Sequence, residues 1–316
     1  MSLCGHDAAW REWRAALGSE RMHHAWICAG LRGLGKGNFA RAAAAELVAE
    51  PGVPQPDPAN HPDIIVIEPL PASETDVEKR AEGKPYVLKR GIAVDQIRAM
   101  RRRLETRPTL GSRRVVIVDP VDVLERSAAN ALLKNLEEPP EGTFFVLVSH
   151  RPGQLLPTVR SRCSILRFAR LSDAQVAEIL AAAPTDAATR AAAVAAAEGS
   201  PGAALGFVEQ DLGKLHGIML RLLDQGDESF VLRGALAEEI GGKPDRERQA
   251  ATLDLARATL AGALRQATPS GQRRVIEAHA ALVRLAAQAP TYNFDAGLLA
   301  MEIGGLLASA AVPKAA

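Results

Sequence analysis

Residues 30–37, Gly-Leu-Arg-Gly-Leu-Gly-Lys-Gly, are the stretch of this chain most suited to chemistry on a phosphate. In a G-x-x-x-x-G-K-[ST] loop, glycines let the backbone curl until several N–H groups point inward at phosphate oxygens, and the lysine reaches the outer ones. Gly30, Gly33, Gly35 and Lys36 supply those parts here, but Gly37 stands where a Ser/Thr hydroxyl would hold Mg²⁺. Further along, the apolar run 115–118 ends in Asp119. That is the form of a second nucleotide motif, whose aspartate helps to hold the Mg²⁺ shell. An active site of this class usually places Glu next, to polarise the attacking water; this chain has Pro120.

Other reactive residue types are sparse. Cys4, Cys28 and Cys163 lie far apart with no C-x-x-C pair, so neither a disulfide framework nor a zinc site is indicated. His23 and His24 are adjacent, a spacing that points side chains apart in extended chain, and no ligand cluster follows them. Cys28 is expected to pack in the strand before the loop. Cys163 has no base placed by spacing and reads as a packing residue.

The elements that must position these residues follow from hydrophobic pattern. An amphipathic helical stretch (Ala8, Trp10, Trp13, Leu17) precedes an apolar strand at 25–29, and a strong helix former at 38–49 leaves the loop. Further apolar strands are predicted at 64–67, 115–118, 144–148 and 165–168, with a helix at 92–104 and another at 128–136 stopped by Pro139-Pro140. Residues 51–62 read as a loop, and residues 71–85 as a polar, turn-rich, mobile excursion without an element. Alternating β and α elements predict an α/β fold with a mainly parallel sheet covered by helices on both faces. The loop, Asp119 and Ser149 all fall at strand carboxyl ends, where such sheets bind ligands.

After Leu171 the strand signal stops. Helices are predicted at 172–183 and 186–198, then from Gly199-Ser200-Pro201-Gly202 onward, with apolar stripes Leu253, Ala256, Leu260, Leu264 and Ile276, Ala280, Val283, Ala287, and an apolar stretch at 298–307. Breaks fall at Gly241-Gly242-Lys243-Pro244, Thr268-Pro269-Ser270-Gly271 and Pro290.

The chain has 316 residues with 24% charged, 47% hydrophobic and only 4% aromatic, and a net charge of +1. That is a globular composition of two or three domains with no overall polyanion-binding excess, so any nucleic-acid surface must be local. The densest positive patch is the outer face of the 92–104 helix, with Arg98, Arg101, Arg102 and Arg103, followed by Arg107, Arg113 and Arg114. Arginine runs are most often solvated helix faces, with phosphate contact the competitor. No apolar run approaches a membrane span and the first residues carry no secretory pattern, so a cytoplasmic location is expected.

The block 114–163 carries a resemblance. Val-Val-Ile-Val-Asp, then Ala-Ala-Asn-Ala-Leu-Leu-Lys-Asn-Leu-Glu-Glu-Pro-Pro, then Leu-Leu-Pro-Thr-Val-Arg-Ser-Arg-Cys, resembles the AAA+ subunits of the bacterial sliding-clamp loader of DNA polymerase III. With Gly5-His6-Asp7 and His24-Ala25-Trp26 near the start and the helical tail, the likeness spans essentially the whole chain. It leans toward the delta-prime branch: gamma/tau motors carry Ser/Thr at Gly37, Glu at Pro120 and an arginine at Gly202 of the lid. Many members also carry a cysteine zinc module before H-P-D; this chain reaches His61-Pro62-Asp63 without a cysteine there, so no zinc is expected.

The resemblance implies an AAA+ domain (1–168), a small helical lid (169–208) and a helical collar for oligomerisation (209–316). It implies a non-hydrolysing, stator-like subunit of a pentameric loader, partnered by gamma/tau and delta subunits, the beta clamp and primed DNA, with no membrane and no required cofactor. Arg162 of Ser-Arg-Cys would be an arginine finger given in trans to ATP on a neighbour. Arg98, Arg101, Arg102 and Lys134 would track DNA phosphates without reading bases. Two alternatives stay open on sequence: an autonomous P-loop ATPase (a gamma/tau-type motor or a DNA-remodelling enzyme), and an adaptor that binds ATP weakly through Gly33, Gly35 and Lys36 without cleaving it.

Overall fold

A computed structural model describes residues 5–242, 246–289 and 294–311. Cys4, the Lys243-Pro244 part of one predicted break and Pro290 lie outside the described residues. The chain divides into two compact units between Arg170 and Leu171.

The first unit runs α1 (Asp7–Leu17), β1 (Ala25–Ala29), α2 (Lys36–Val48), β2 (Ile64–Ile67), α3 (Glu74–Ala81), α4 (Val94–Leu104), β3 (Arg114–Val118), α5 (Arg126–Glu137), β4 (Thr143–Ser149), α6 (Pro157–Arg160) and β5 (Ser164–Arg167). The strands form one five-stranded sheet in the order β2-β3-β4-β1-β5, every neighbouring pair parallel. Period-two alternation splits each strand between two cores. Trp26, Cys28, Val115, Ile117, Val146 and Val148 face Trp13 of α1 and the alanine-rich side of α2. Ala25, Ile27, Val116, Val118, Phe145 and Leu147 face α4 and α5 through Ile97, Met100, Leu104, Leu132 and Leu136. Burial on both faces explains why the inner strands β1, β3 and β4 read as nearly unbroken apolar runs. β1 lies between β4 and β5, so the chain leaves β1 and β4 in opposite directions across the sheet, and a crevice opens at their carboxyl ends.

The structure departs from the sequence-based expectation at several places. Residues 71–85 do contain an element, α3. Ser73 caps it, its Oγ accepting from Asp76 N at 3.2 Å and donating to Asp76 Oδ2 at 2.6 Å, while Asp76 Oδ1 accepts from Val87 N at 3.1 Å. The cap, not an apolar stripe, makes this helix, which is why periodicity missed it. In α1 the inward residues are Ala9 and Trp13; Ala8 is exposed. Arg114 does not belong to the basic surface. It is buried on Asp63 at 3.3 Å and donates to the carbonyls of Arg103, Thr106 and Arg107.

Among its described residues the second unit has helices as its regular elements: α7 (Asp173–Leu180), α8 (Ala187–Ala197), α9 (Pro201–Glu209), α10 (Gly213–Gln225), α11 (Val231–Ile240), α12 (Arg246–Gln266), α13 (Pro269–Gln288) and α14 (Ala296–Ser309). These helices share one apolar core that includes Val176, Phe207, Met219, Leu236, Leu260, Leu282 and Ile303. The apolar stripe named on α13 is not the face that packs into this core. Ile276 is 54% and Val283 41% exposed, with Ala280 and Ala287 exposed beside them, while Val275, Ala278 and Leu282 are buried. Both sets satisfy helical spacing, and only packing chooses between them.

Candidate functional site

The phosphate-binding loop lies between the end of β1 and the start of α2. Gly33 and Gly35 both have positive φ (80° and 76°), the left-handed backbone that curls the loop. Gly30 serves packing instead: a Cβ there would stand 2.6 Å from the carbonyl oxygen of Phe168. Its amide donates to Ser149 O at 3.3 Å, tying the loop to the end of β4.

Lys36 opens α2 and is 2% exposed, and its Nζ donates to Leu31 O of its own loop at 2.5 Å. Burial lowers its pKa to about 8, against the opposing pull of Asp119. Asp119 follows β3, with its amide donating to Ile67 O at 2.9 Å. Its carboxylate is shifted upward, burial outweighing the nearby Arg41. Arg41 Nη1 lies 3.4 Å from Asp119 Oδ2, and its Nη2 pairs with Glu68 Oε1. A Cβ on Gly37 would run into Asp119 Oδ2 and lie 3.1 Å from Arg41 Nη1. The glycines and Lys36 thus fit a phosphate, whereas the metal side of an Mg²⁺-nucleotide does not fit: the hydroxyl is missing, the space is filled and the aspartate is paired.

Beyond Pro120, Asp122 accepts from Ser149 Oγ at 2.7 Å, His150 N at 2.6 Å and Arg151 N at 3.2 Å, pinning the end of β4. Burial, followed by the charge of Lys36, lowers the His150 pKa to about 4, which keeps that imidazole neutral at physiological pH. Arg41, Glu68, Asp122 and His150 belong to this site although no motif marks them. Their one sequence signal is position: Glu68 and His150 directly follow a strand end, Asp122 lies four residues past β3, and Arg41 lies one helical turn past the loop.

Arg162 sits between α6 and β5, away from the loop's own hydrogen bonds. Its Nη1 donates to Thr158 O at 3.0 Å and its Nη2 pairs with Glu137 Oε1 at 2.7 Å, the first glutamate of the Glu-Glu-Pro-Pro run. The side chain is 36% exposed. Next to it Cys163 packs against the α4/α5 core, and burial pushes its thiol up to about 12, the behaviour of an inert thiol. Cys28 lies fully buried in β1, its thiol likewise pushed up to about 12 by burial.

Arg98, Arg101 and Arg102 on α4, and Lys134 on α5, are all exposed. Arg98 pairs with Asp95 at 3.0 Å, and Arg98 and Arg102 share a helix face at i, i+4 spacing. Side-chain ion pairs of Arg101, Arg102 and Lys134 are absent among the described residues. His23 and His24 do not point apart as adjacency in extended chain predicts: their rings stack at 4.7 Å and each bonds to backbone, His24 Nε2 to Leu136 O at 2.9 Å. Among the described residues no group of His, Cys, Asp and Glu is placed to hold a metal ion, and no helix is long and apolar enough to cross a membrane.

The chain is 36% identical over 163 residues to DNA polymerase III subunit delta′ of Pseudomonas aeruginosa, covering 46% of this chain and 44% of that one. It is 30% identical over 211 residues to the delta′ subunit of Escherichia coli K12, covering 62% and 58%. It is also 32% identical over 168 residues to the tau/gamma subunit of Haemophilus influenzae, covering 52% and 23%. The chain therefore spans less than two thirds of the length of these curated relatives. A solved DNA polymerase III gamma subunit-related protein of Thermotoga maritima shares the fold, with a TM-score of 0.50 at 20% identity over 95% of this chain and 98% of that one. The family model described as "DNA polymerase III, delta subunit" matches residues 5–172, more than half of the chain, and the chain belongs to that family.

Proposed function

We propose that this chain is a delta-prime-type subunit of a bacterial clamp loader that does not hydrolyse ATP itself and offers Arg162 to ATP held by a neighbouring gamma/tau subunit. In this cytoplasmic replication assembly, with delta as a further partner, the neighbours' nucleotide cycle would load the beta clamp onto primed DNA. The observation that carries the proposal is the contrast between the two halves of the catalytic apparatus. The chain's own site has Gly37 for the metal-binding hydroxyl, Pro120 for the water-polarising carboxylate, and Asp119 engaged by Arg41. These features disfavour an autonomous ATPase. Its Ser-Arg-Cys arginine, by contrast, is partly exposed just past the C-terminal end of α6.

A guanidinium presents a fixed fork of donors to phosphoryl oxygens and stays charged at any physiological pH. Supplied in trans, it would stabilise charge developing in phosphoryl transfer on the neighbour. The outward stripe Ile276, Ala280, Val283 and Ala287 on α13 supports a collar role for residues 209–316, since an assembly would bury it. The lid (169–208) and AAA+ (1–168) assignments belong to the same proposal, as do the contacts of Arg98, Arg101, Arg102 and Lys134 with primed DNA.

The test is ATP turnover by the reconstituted loader with clamp and primed DNA, comparing the wild-type chain with Arg162→Ala. Turnover at the site facing this chain should fall about a hundredfold with assembly intact. An unchanged rate would leave Arg162 a structural residue and overturn the finger.

A further inference from the structure

Two carboxylates face each other across neighbouring strand ends with a guanidinium between them. β2 and β3 are parallel with Ile67 opposite Val118, so Glu68 and Asp119, the next residue of each strand's continuation, stand level beyond the sheet. Two anions at adjacent strand ends repel, and phosphate-binding folds commonly relieve such a pair with a divalent metal. Here the relief comes from α2. Arg41 lies one helical turn beyond Gly37, and its Nη2 pairs with Glu68 Oε1 while Nη1 reaches Asp119 Oδ2 at 3.4 Å. A second arginine, Arg80 of α3, lies 4.0 Å from Glu68 Oε2 on the outer side.

Gly37 is what admits this arrangement. A side chain at position 37 would begin 3.1 Å from Arg41 Nη1 and would collide with Asp119 Oδ2. The side chain that elsewhere binds the metal and the space in which the metal would be bound are thus both given over to one ion pair. Lys36 adds a third positive charge near Asp119, so Asp119 and Glu68 are offset without any added cation.

We propose that Arg41 is the resident cation of this site, standing between Asp119 and Glu68 in place of a divalent metal, and that the site becomes a divalent-cation site only when Arg41 is removed. This is independent of any role of Arg162, because it concerns the chain alone.

The test uses Mn²⁺ without nucleotide, titrated into the full chain and followed by the electron paramagnetic resonance signal of the free ion. Arg41→Met should bind Mn²⁺ with a dissociation constant lower than wild type by about tenfold or more, the scale of one uncompensated charge beside a partly solvated pair. Arg41→Lys should stay near wild type, and adding Asp119→Asn to Arg41→Met should abolish the gain. A folded Arg41→Met chain with no gain overturns the proposal. The wild-type background gives an arm that does not depend on the Arg41 variants folding: Asp119→Asn should leave its Mn²⁺ titration unchanged, and a loss of Mn²⁺ binding there would show that Asp119 already serves a metal and refute a resident guanidinium.

Discussion

Replacing Asp63 with Asn should destabilise the first unit severely. Asp63 and Arg114 form an ion pair with side chains only 1% and 5% exposed. The carboxylate accepts from Thr109 N at 2.7 Å and Leu110 N at 2.8 Å as well as from the guanidinium. Asparagine keeps the shape but removes the charge, which leaves Arg114 buried and uncompensated and turns one acceptor oxygen into a donor facing backbone N–H groups. Breaking one partner of such a pair costs about 3–5 kcal/mol, a large share of a domain's ~5–15 kcal/mol. The assay is urea unfolding followed by tryptophan fluorescence, which reports this unit alone because Trp10, Trp13 and Trp26 all lie in it. Acid gives an independent check. Burial by itself would raise the Asp63 pKa, but the Leu110 and Thr109 N–H groups and Arg114 outweigh it and hold the folded value below the ordinary carboxylate range. A depressed folded pKa contributes stability that is complete above the unfolded value near ~3.9 and is lost as pH falls through the folded value. The wild type's advantage over Asp63→Asn should therefore be full at pH 7 and shrink below about pH 4. A loss under about 1 kcal/mol at pH 7, or a difference that acid does not touch, would refute the reasoning.

Further outcomes follow from the surface groups. Glu137→Gln should change the neighbour's ATP turnover by no more than about fivefold, because a half-exposed ion pair is worth only ~0–1 kcal/mol; a fall as deep as that of Arg162→Ala would mean that the arginine works through Glu137 and not on phosphate. Changing Arg98, Arg101, Arg102 and Lys134 together to Gln should weaken the assembly's binding to primed duplex and flatten its log–log salt dependence by roughly 0.9 per lost phosphate contact. An affinity and slope equal to wild type would place these side chains off the DNA.

What sequence alone makes legible here is whatever an apolar run or a glycine can announce. The inner strands are visible because a parallel sheet covered on both faces is apolar along its strands, and β1, β3 and most of β4 are buried throughout; the edge strands β2 and β5 show more weakly, with Val66 and Arg167 exposed. The phosphate loop is visible because backbone curvature demands glycine at fixed spacing. α3 is hidden because it turns no apolar side toward either core and is held by the Ser73–Asp76 cap and the Asp76–Val87 bond, a contact that closes only when the chain returns at residue 87. The phase of α13 is hidden for the opposite reason: it has apolar residues on two faces, and one of them finds no partner within the described chain.

The polar half of the site is hidden for a more instructive reason. Arg41, Glu68 and Asp122 are ordinary residue types with no motif around them, and they meet only because strand register and helix pitch bring them together. Glu68 and Asp119 are fifty-one positions apart in sequence, yet one register pair, Ile67 with Val118, sets them level. Gly37 can be recognised in sequence as an absence, a motif residue that is not there. What takes up the room it leaves depends on where α2 aims a side chain one turn later, and that is fixed by packing of Phe39, Ala40, Ala43 and Ala44 against the sheet. The missing hydroxyl and the arginine beyond it are therefore one feature. Restoring a threonine at position 37 without moving Arg41 would set a new side chain against an existing ion pair, so a motif repaired in sequence would not by itself be a metal site repaired in space.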